Sequence, residues 1–258
     1  MSTGYAAAPA DTERRGAWTR LRGGMSTWRL VVVVSSVALA VAAALMAGLW
    51  LAMSGTRSTS YAFAGPFLRI EIDVGRGDVE ILGGGRSNVH VKRTEHFAYD
   101  HTPRERLALE DGVLKIGSTC ASLVIGTCSA DYALAIPDNV AVTIRATEGD
   151  VRLRGYRGSA TVTTTRGSID VSGFCGFVLQ ATARRGDIDV GTTCAPERLE
   201  LRSVRGDVTA VVPPGRYEVV ADTDEGRVAV RGVVADDGAP WKIQALTGKG
   251  DVTVAAGS

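Results

Sequence analysis

LQATARRGDIDV, residues 179–190, decides how the rest of the chain is read. Leu179 and Ala181 before the glycine, and Ile188 and Val190 after it, stand at alternate places with polar residues between them. Such alternation on both sides of one glycine describes two short strands joined by a turn, each with one apolar face. The register recurs around Gly77, Gly149, Gly167, Gly186, Gly206, Gly226 and Gly250. From Gly149 onward the steps are 18, 19, 20, 20 and 24 residues, and a period near 20 is the mark of a solenoid. Ile70, Val142, Ala160, Leu179, Leu199, Val219 and Ile243 stand seven residues before the glycines, and Val79, Val151, Ile169, Ile188, Val208, Val228 and Val252 two after. A single coil cannot bury its apolar face, whereas stacked coils build aliphatic ladders with strands about 4.8 Å apart.

The repeat also accounts for Arg-Gly-Asp, which occurs at 76–78, 185–187 and 205–207 and is the tripeptide animal receptors use to recognise adhesive proteins. Its glycine is present in all seven copies, but Arg and Asp flank it together in only three. A turn needing positive φ explains the glycine, and Asp or Ser after it bonds the local backbone. The tripeptide is expected to be scaffolding.

Cys175 and Cys194 each lie eight residues after a repeat glycine, so they fall on adjacent coils at a spacing a disulfide can bridge. Cys120 and Cys128 flank CASLVIGTC and are expected to close that loop. Four cysteines allow three connectivities, and the register selects 175–194 with 120–128.

Leu30–Met53 is a run of 24 residues without a charge, long enough as a helix to cross a membrane. Its hydroxyls, Ser35 and Ser36, can bond back to helix carbonyls. Five arginines precede it and only Arg57 follows closely, which keeps the N-terminus cytoplasmic. The rival, a cleaved signal peptide, would have an unusually long apolar region and no clean cleavage site. Residues 1–29 are expected to be a disordered basic tail, 54–60 a linker and 61–258 the extracytoplasmic domain. Ala40, Ala44, Gly48 and Ala52 form a small-residue ridge of the kind that supports helix pairing. On the far side of the plasma membrane disulfides persist. The net charge of +1 is concentrated in the tail, and the near-neutral remainder gives no electrostatic reason to bind nucleic acid.

Residues 85–140 interrupt the array with alternating segments and a hairpin turn at Glu110-Asp111-Gly112. This excursion is expected to cover one end of the solenoid. The GDV-x-V coils, the passage LAIPDNVAVTIRATEGDVRLRG and the upstream hairpin resemble the bacterial putative-adhesin family of β-strand-repeat proteins, a domain of unknown function. The resemblance spans about residues 61–258. It implies an all-β, right-handed parallel β-solenoid with an antiparallel excursion, on a bacterial surface, and supplies no catalytic residues.

Constellations able to carry chemistry are few. Asp150, Asp187 and Asp207 recur at one coil position, but Ser168 and Arg227 interrupt the row. Asp170 and Asp189 share an outward face, with Arg152, Arg184 and Arg185 as expected neutralising partners. His90, His96 and His101 lack a metal-site spacing, and GGGRS at 83–87 reads as a turn rather than a phosphate loop. No catalytic, cofactor or metal site is expected. The first reading is a single-pass, non-enzymatic membrane protein whose solenoid binds an envelope polymer or surface protein, in adhesion or envelope-stress sensing. The alternatives are a β-helix carbohydrate-active enzyme and a self-assembling structural element, a homo-oligomer.

Overall fold

In the computed structural model, residues 27–52, 54–84, 87–98, 101–121, 127–138 and 140–257 are described. The basic tail up to residue 26, with its expected disorder, lies outside them. The chain divides into two units, residues 1–52 and 53–258.

The first unit holds helix α1, Thr27–Ala52, which is long and apolar enough to cross a membrane. Its two hydroxyls are turned inward: Ser36 Oγ donates to the Val32 carbonyl at 2.7 Å, and Ser35 Oγ to that of Val31. Hydroxyls bonded in this way leave no polar hydrogen facing an apolar surround.

Among the described residues no further helix follows, and the second unit is built from strands. Its N-terminal part contains β1 (Ser54–Ala64), β2 (Arg69–Arg76), β3 (Val79–Gly83), β4 (Asn88–Ala98), β5 (Arg104–Glu110), β6 (Val113–Thr119) and β7 (Cys128–Ile136). Four regular coils follow: β8 (Ala141–Glu148) with β9 (Val151–Arg154), β10 (Ala160–Arg166) with β11 (Ile169–Phe174), β12 (Val178–Ala183) with β13 (Ile188–Thr192), and β14 (Arg198–Arg205) with β15 (Val208–Val212). The C-terminal part holds β16 (Arg216–Glu225), β17 (Val228–Arg231), β18 (Val234–Ala235), β19 (Lys242–Lys249) and β20 (Val252–Ala256).

These strands form two ten-stranded sheets, β1-β4-β7-β3-β9-β11-β13-β15-β20-β17 and β18-β16-β19-β14-β12-β10-β8-β2-β6-β5, called A and B below. Each coil contributes one strand to sheet B, passes a glycine turn, and contributes the next to sheet A. Neighbouring coils pair in parallel and in the register of the sequence repeat: Val142, Ala160, Leu179 and Leu199 form one column, and Val151, Ile169, Ile188 and Val208 another. All eight are essentially inaccessible to solvent. Burying a large aliphatic side chain completely is worth about 1.5–3 kcal/mol, so these columns are the main source of cohesion.

Stacking order departs from chain order at both ends. The final coil, β19–β20, is inserted between β14–β15 and β16–β17, so the Gly226 coil, not the Gly250 coil, is terminal. At the other end β6–β7 forms a parallel coil on the outer side of β2–β3. The excursion is thus partly coil and partly cap. Its antiparallel members are β4, against β7, and β5, against β6. The β5–β6 hairpin turns through Asp111 and Gly112, both at positive φ, as the Asp-Gly pair requires. Residues 54–60, expected as a linker, are strand: β1 pairs with β4 from Ser54↔Ala98 to Ala64↔Asn88. A polar segment reads as linker until its partner is known, and here the partner lies about thirty residues away.

Candidate functional site: the turn column and the outer faces

The seven repeat glycines stack in a single column with φ between 130° and 156°. A Cβ at Gly186 would lie 2.1 Å from the Gly167 carbonyl oxygen, and one at Gly149 2.0 Å from that of Gly77. Both the backbone conformation and the approach of the adjacent coil therefore require glycine.

The residue after each glycine explains the recurrence of Asp. At this corner the glycine amide bonds to the next coil, as Gly186 N does to Arg205 O at 2.9 Å, but the amide that follows has no carbonyl within the backbone ladder. A carboxylate of the preceding coil takes it, or in one coil the Ser168 hydroxyl. Asp150 N donates to Asp78 Oδ1 at 2.9 Å, Ser168 N to Asp150 Oδ1 at 2.9 Å, Asp187 N to Ser168 Oγ at 3.4 Å, and Asp207 N to Asp187 Oδ1 at 2.8 Å. The ladder begins at Asp131 and ends where Asp251 receives Arg227 N. The expected bond to the local backbone is thus a bond to the neighbouring coil. Sequence spacing gave the position but could not reveal which coil holds the partner.

Behind the turn, hydroxyls cap the glycine carbonyls. Ser203 Oγ donates to Gly186 O at 3.0 Å, Thr247 Oγ1 to Gly206 O at 2.8 Å and Thr223 Oγ1 to Gly250 O at 2.9 Å. Ser203 and Thr247 are buried, and a buried polar group is stable there only because it is bonded. These hydroxyls stand three residues before their own glycines, a signal present in the sequence but hidden among other polar strand residues.

Five of the seven residues before the glycines pair along the stack. Glu148 sits between Arg76 (2.9 Å) and Arg166, and Glu225 meets Lys249 at 2.8 Å. Lys249 and Glu225 are neighbours only because the last coil is inserted out of order, and so are Arg227 and Asp251 at 2.8 Å. Arg227 holds the Asp251 carboxyl below its usual range. Arg76-Gly77-Asp78 and its repeats are therefore bound into the corner at all three residues or at their backbones.

Asp170 and Asp189 are register partners on the outward face of sheet A. Burial raises the Asp189 carboxyl above its usual range; a Thr209 hydrogen bond acts against this, while Asp187, Asp170 and Asp207 reinforce it. Of the expected neutralising arginines, Arg152 reaches Asp150 at 3.3 Å and Asp78 at 3.5 Å. Arg184 and Arg185 form no ion pair among the described residues, so this face carries more uncompensated negative charge than the sequence suggested.

The histidines are not gathered. His96 Nε2 lies 3.1 Å from Asp131 Oδ2 and its Nδ1 lies 3.3 Å from Thr56 Oγ1, while His90 and His101 are exposed elsewhere. Among the described residues no group of three His, Cys, Asp or Glu is placed to hold a metal ion. Residues 85 and 86 of GGGRS lie outside the described set.

Both cysteine pairs are disulfides. Cys175–Cys194 bridges adjacent coils at the corner opposite the glycine column, with Cα atoms 4.8 Å apart. Cys120–Cys128 closes the loop between β6 and β7, at a Cα separation of 6.0 Å.

Two features lay beyond sequence reasoning because each joins distant segments. Arg93, buried on β4, pairs with Glu95 and, at 3.2 Å, with Glu105 of β5, whose other oxygen accepts the Tyr61 hydroxyl of β1 at 2.7 Å. Burial first, and then this bond to Glu105, push the Tyr61 hydroxyl pKa upward. The network ties the two sheets together across the β1/β5 end. The second feature is a cleft of about 330 Å³ on the outer face of sheet B, lined by Glu71, Asp73, Arg106, Glu110, Lys115 and Arg145. Lys115 and Glu110 are paired within it at 3.1 Å.

No curated protein sequence matches the chain. Among solved structures, a putative cell adhesion protein from Clostridium sporogenes aligns over 79% of this chain and 100% of its own, at 10% identity and a TM-score of 0.46. A putative adhesin from Bacteroides fragilis aligns over 78% and 97%, at 13% identity and a TM-score of 0.47. One from Parabacteroides merdae aligns over 78% and 95%, at 14% identity and a TM-score of 0.30. Residues 139–255, which hold six of the coils described above, match the family profile Toastrack DUF4097.

Proposed function

We propose that this chain is a non-enzymatic binding module, anchored in the plasma membrane by α1, whose solenoid lies outside the cytoplasm and binds an envelope polymer or a surface protein. It serves adhesion or the sensing of envelope stress. The observation that carries this reading is the state of the repeated carboxylates. Those of the turn column, the natural candidates for acid–base work in a β-helix enzyme, accept backbone amides of the next coil and so serve the scaffold. What remains outward is an extended polar surface with an acidic excess around Asp170 and Asp189, suited to contact over many coils rather than to chemistry at one point. Two disulfides in one domain suit an oxidising compartment.

The test uses the full chain in nanodiscs, incubated with purified cell-wall polymer and with membrane-protein fractions. Retention of one fraction, weakened at least several-fold by Asp170→Asn with Asp189→Asn, is the expected result. Release of new reducing ends from the polymer at catalytic enzyme ratios would replace this reading with the carbohydrate-active alternative.

A further inference from the structure

The two ends of the stack are open edges of the same two sheets. At one end β1 borders sheet A and β5 borders sheet B; at the other the borders are β17 and the short β18, which lies on β16. The two-residue β18 covers β16 only at Arg216 and Tyr217, and, among the described residues, positions 218–225 have no strand partner on that side. Unpaired strand edges recruit other strands unless something opposes it.

We propose that copies of this chain stack head to tail, β5 of one copy pairing antiparallel with β16 of the next, so that both sheets continue across the junction. The ladder columns set the register. Leu109 pairs with Leu114, Leu114 with Ile70, and the Ile70 column runs through the stack to Val219. Leu107 stands by the same route in the column of Ala221. Continuing the columns by one step places Leu109 on Val219 and Leu107 on Ala221, on the inward face of the junction. Leu107 and Leu109 are 45% and 55% exposed in the single chain, although their partners in β6 are buried, so the junction completes a ladder that stops short.

The outward face tests that register independently. With the inward columns aligned, Arg104 faces Asp224 and Arg106 faces Asp222. None of these four forms an ion pair within its own chain among the described residues. The next pair, Glu110 and Glu218, is like-charged, but each already holds a lysine of its own, Lys115 at 3.1 Å and Lys242 at 2.8 Å. Sliding by two residues in either direction keeps only one Arg–Asp match, and sliding by one turns the leucines to the outside. In sheet A the same step brings Val230, 42% exposed, onto the column of Tyr61. Tail-to-tail pairing of β16 with itself sets Glu218 against Asp222 or Asp224, which opposes it. A junction between unlike surfaces repeats into an open filament rather than closing as a dimer.

The experiment uses full-length chains in detergent, carrying Ala108→Cys or Val220→Cys. These positions face each other in the proposed register, at a strand spacing a disulfide can span. Mild oxidation of an equal mixture should yield a cross-linked dimer at least tenfold more abundant than from either variant alone, and a chain bearing both substitutions should give a multimer ladder. Arg106→Asp should abolish the ladder, and adding Asp222→Arg should restore it. Circular dichroism and intact native disulfides verify folding of each variant. Equal cross-linking by Val220→Cys alone, or by Ala108→Cys alone, would establish a symmetric dimer and overturn the proposal. So would well-folded double-cysteine chains that stay monomeric, or a charge swap that fails to restore the ladder.

Discussion

The Asp187 carboxylate accepts a 2.8 Å hydrogen bond from the backbone amide of Asp207, its counterpart one coil further along the stack. This single bond converts an apparent recognition tripeptide into an element of coil-to-coil cohesion. It also ranks the three residues. Gly186→Ala places a methyl against the Gly167 carbonyl at a positive φ and should cost about 2 kcal/mol or more. Asp187→Ala removes one acceptor and should cost about 1 kcal/mol, whereas Asp187→Asn keeps an acceptor and should cost less. Arg185→Ala should stay within about 0.5 kcal/mol. Urea denaturation of the four variants measures the order; equal losses for Arg185→Ala and Gly186→Ala would contradict it.

The Cys175–Cys194 bond closes a loop of about 20 residues, for which chain entropy predicts roughly 3 kcal/mol. Replacing either cysteine by Ser should lower the melting temperature by roughly 6–12 °C in a domain of this size. Its partner then becomes alkylatable, and non-reducing peptide maps of the native chain show 175–194 and 120–128 as separate links. A 128–175 link would refute the coil register.

Stability should carry a small signature of Asp189. Its carboxyl is raised in the folded chain, so the folded state holds that proton more firmly than the unfolded state. Its favourable contribution is complete below the unfolded pKa of about 3.8 and is lost as pH rises through the folded value. Asp189→Asn should accordingly raise the melting temperature at pH 7 and leave it nearly unchanged at pH 3. A thermal scan across that range in which the gain is largest at pH 3 would reverse the sign and exclude the electrostatic account.

The arginines before α1 predict the orientation proposed above. A reporter active only in the cytoplasm should work when fused before residue 27 and fail after residue 257, and an export-dependent reporter should do the opposite. Secretion of the solenoid into the medium would show that α1 is removed as a signal.

The inward face of each coil built on a repeat glycine, the glycine corner and the cysteine register were all legible in the sequence. Each follows from a period of two along a strand and a period near 20 along the chain, both of which are local and repeated. Ile70 and Ile243, 173 residues apart, stand in one column because both lie seven places before a glycine. The order of the coils emerges only once the stack is assembled. Inward columns of similar aliphatic residues accept one another in many orders, so periodicity is silent on whether the Gly226 or Gly250 coil is terminal. The choice is written in pairs that the chain separates by 24 residues, Lys249 with Glu225 and Asp251 with Arg227, which meet only when the last coil is inserted. The same holds for the β1/β5 end, where Tyr61, Arg93 and Glu105 come from three strands and look in sequence like unrelated surface residues. Burial makes them one network, and burial is a property of the assembled stack.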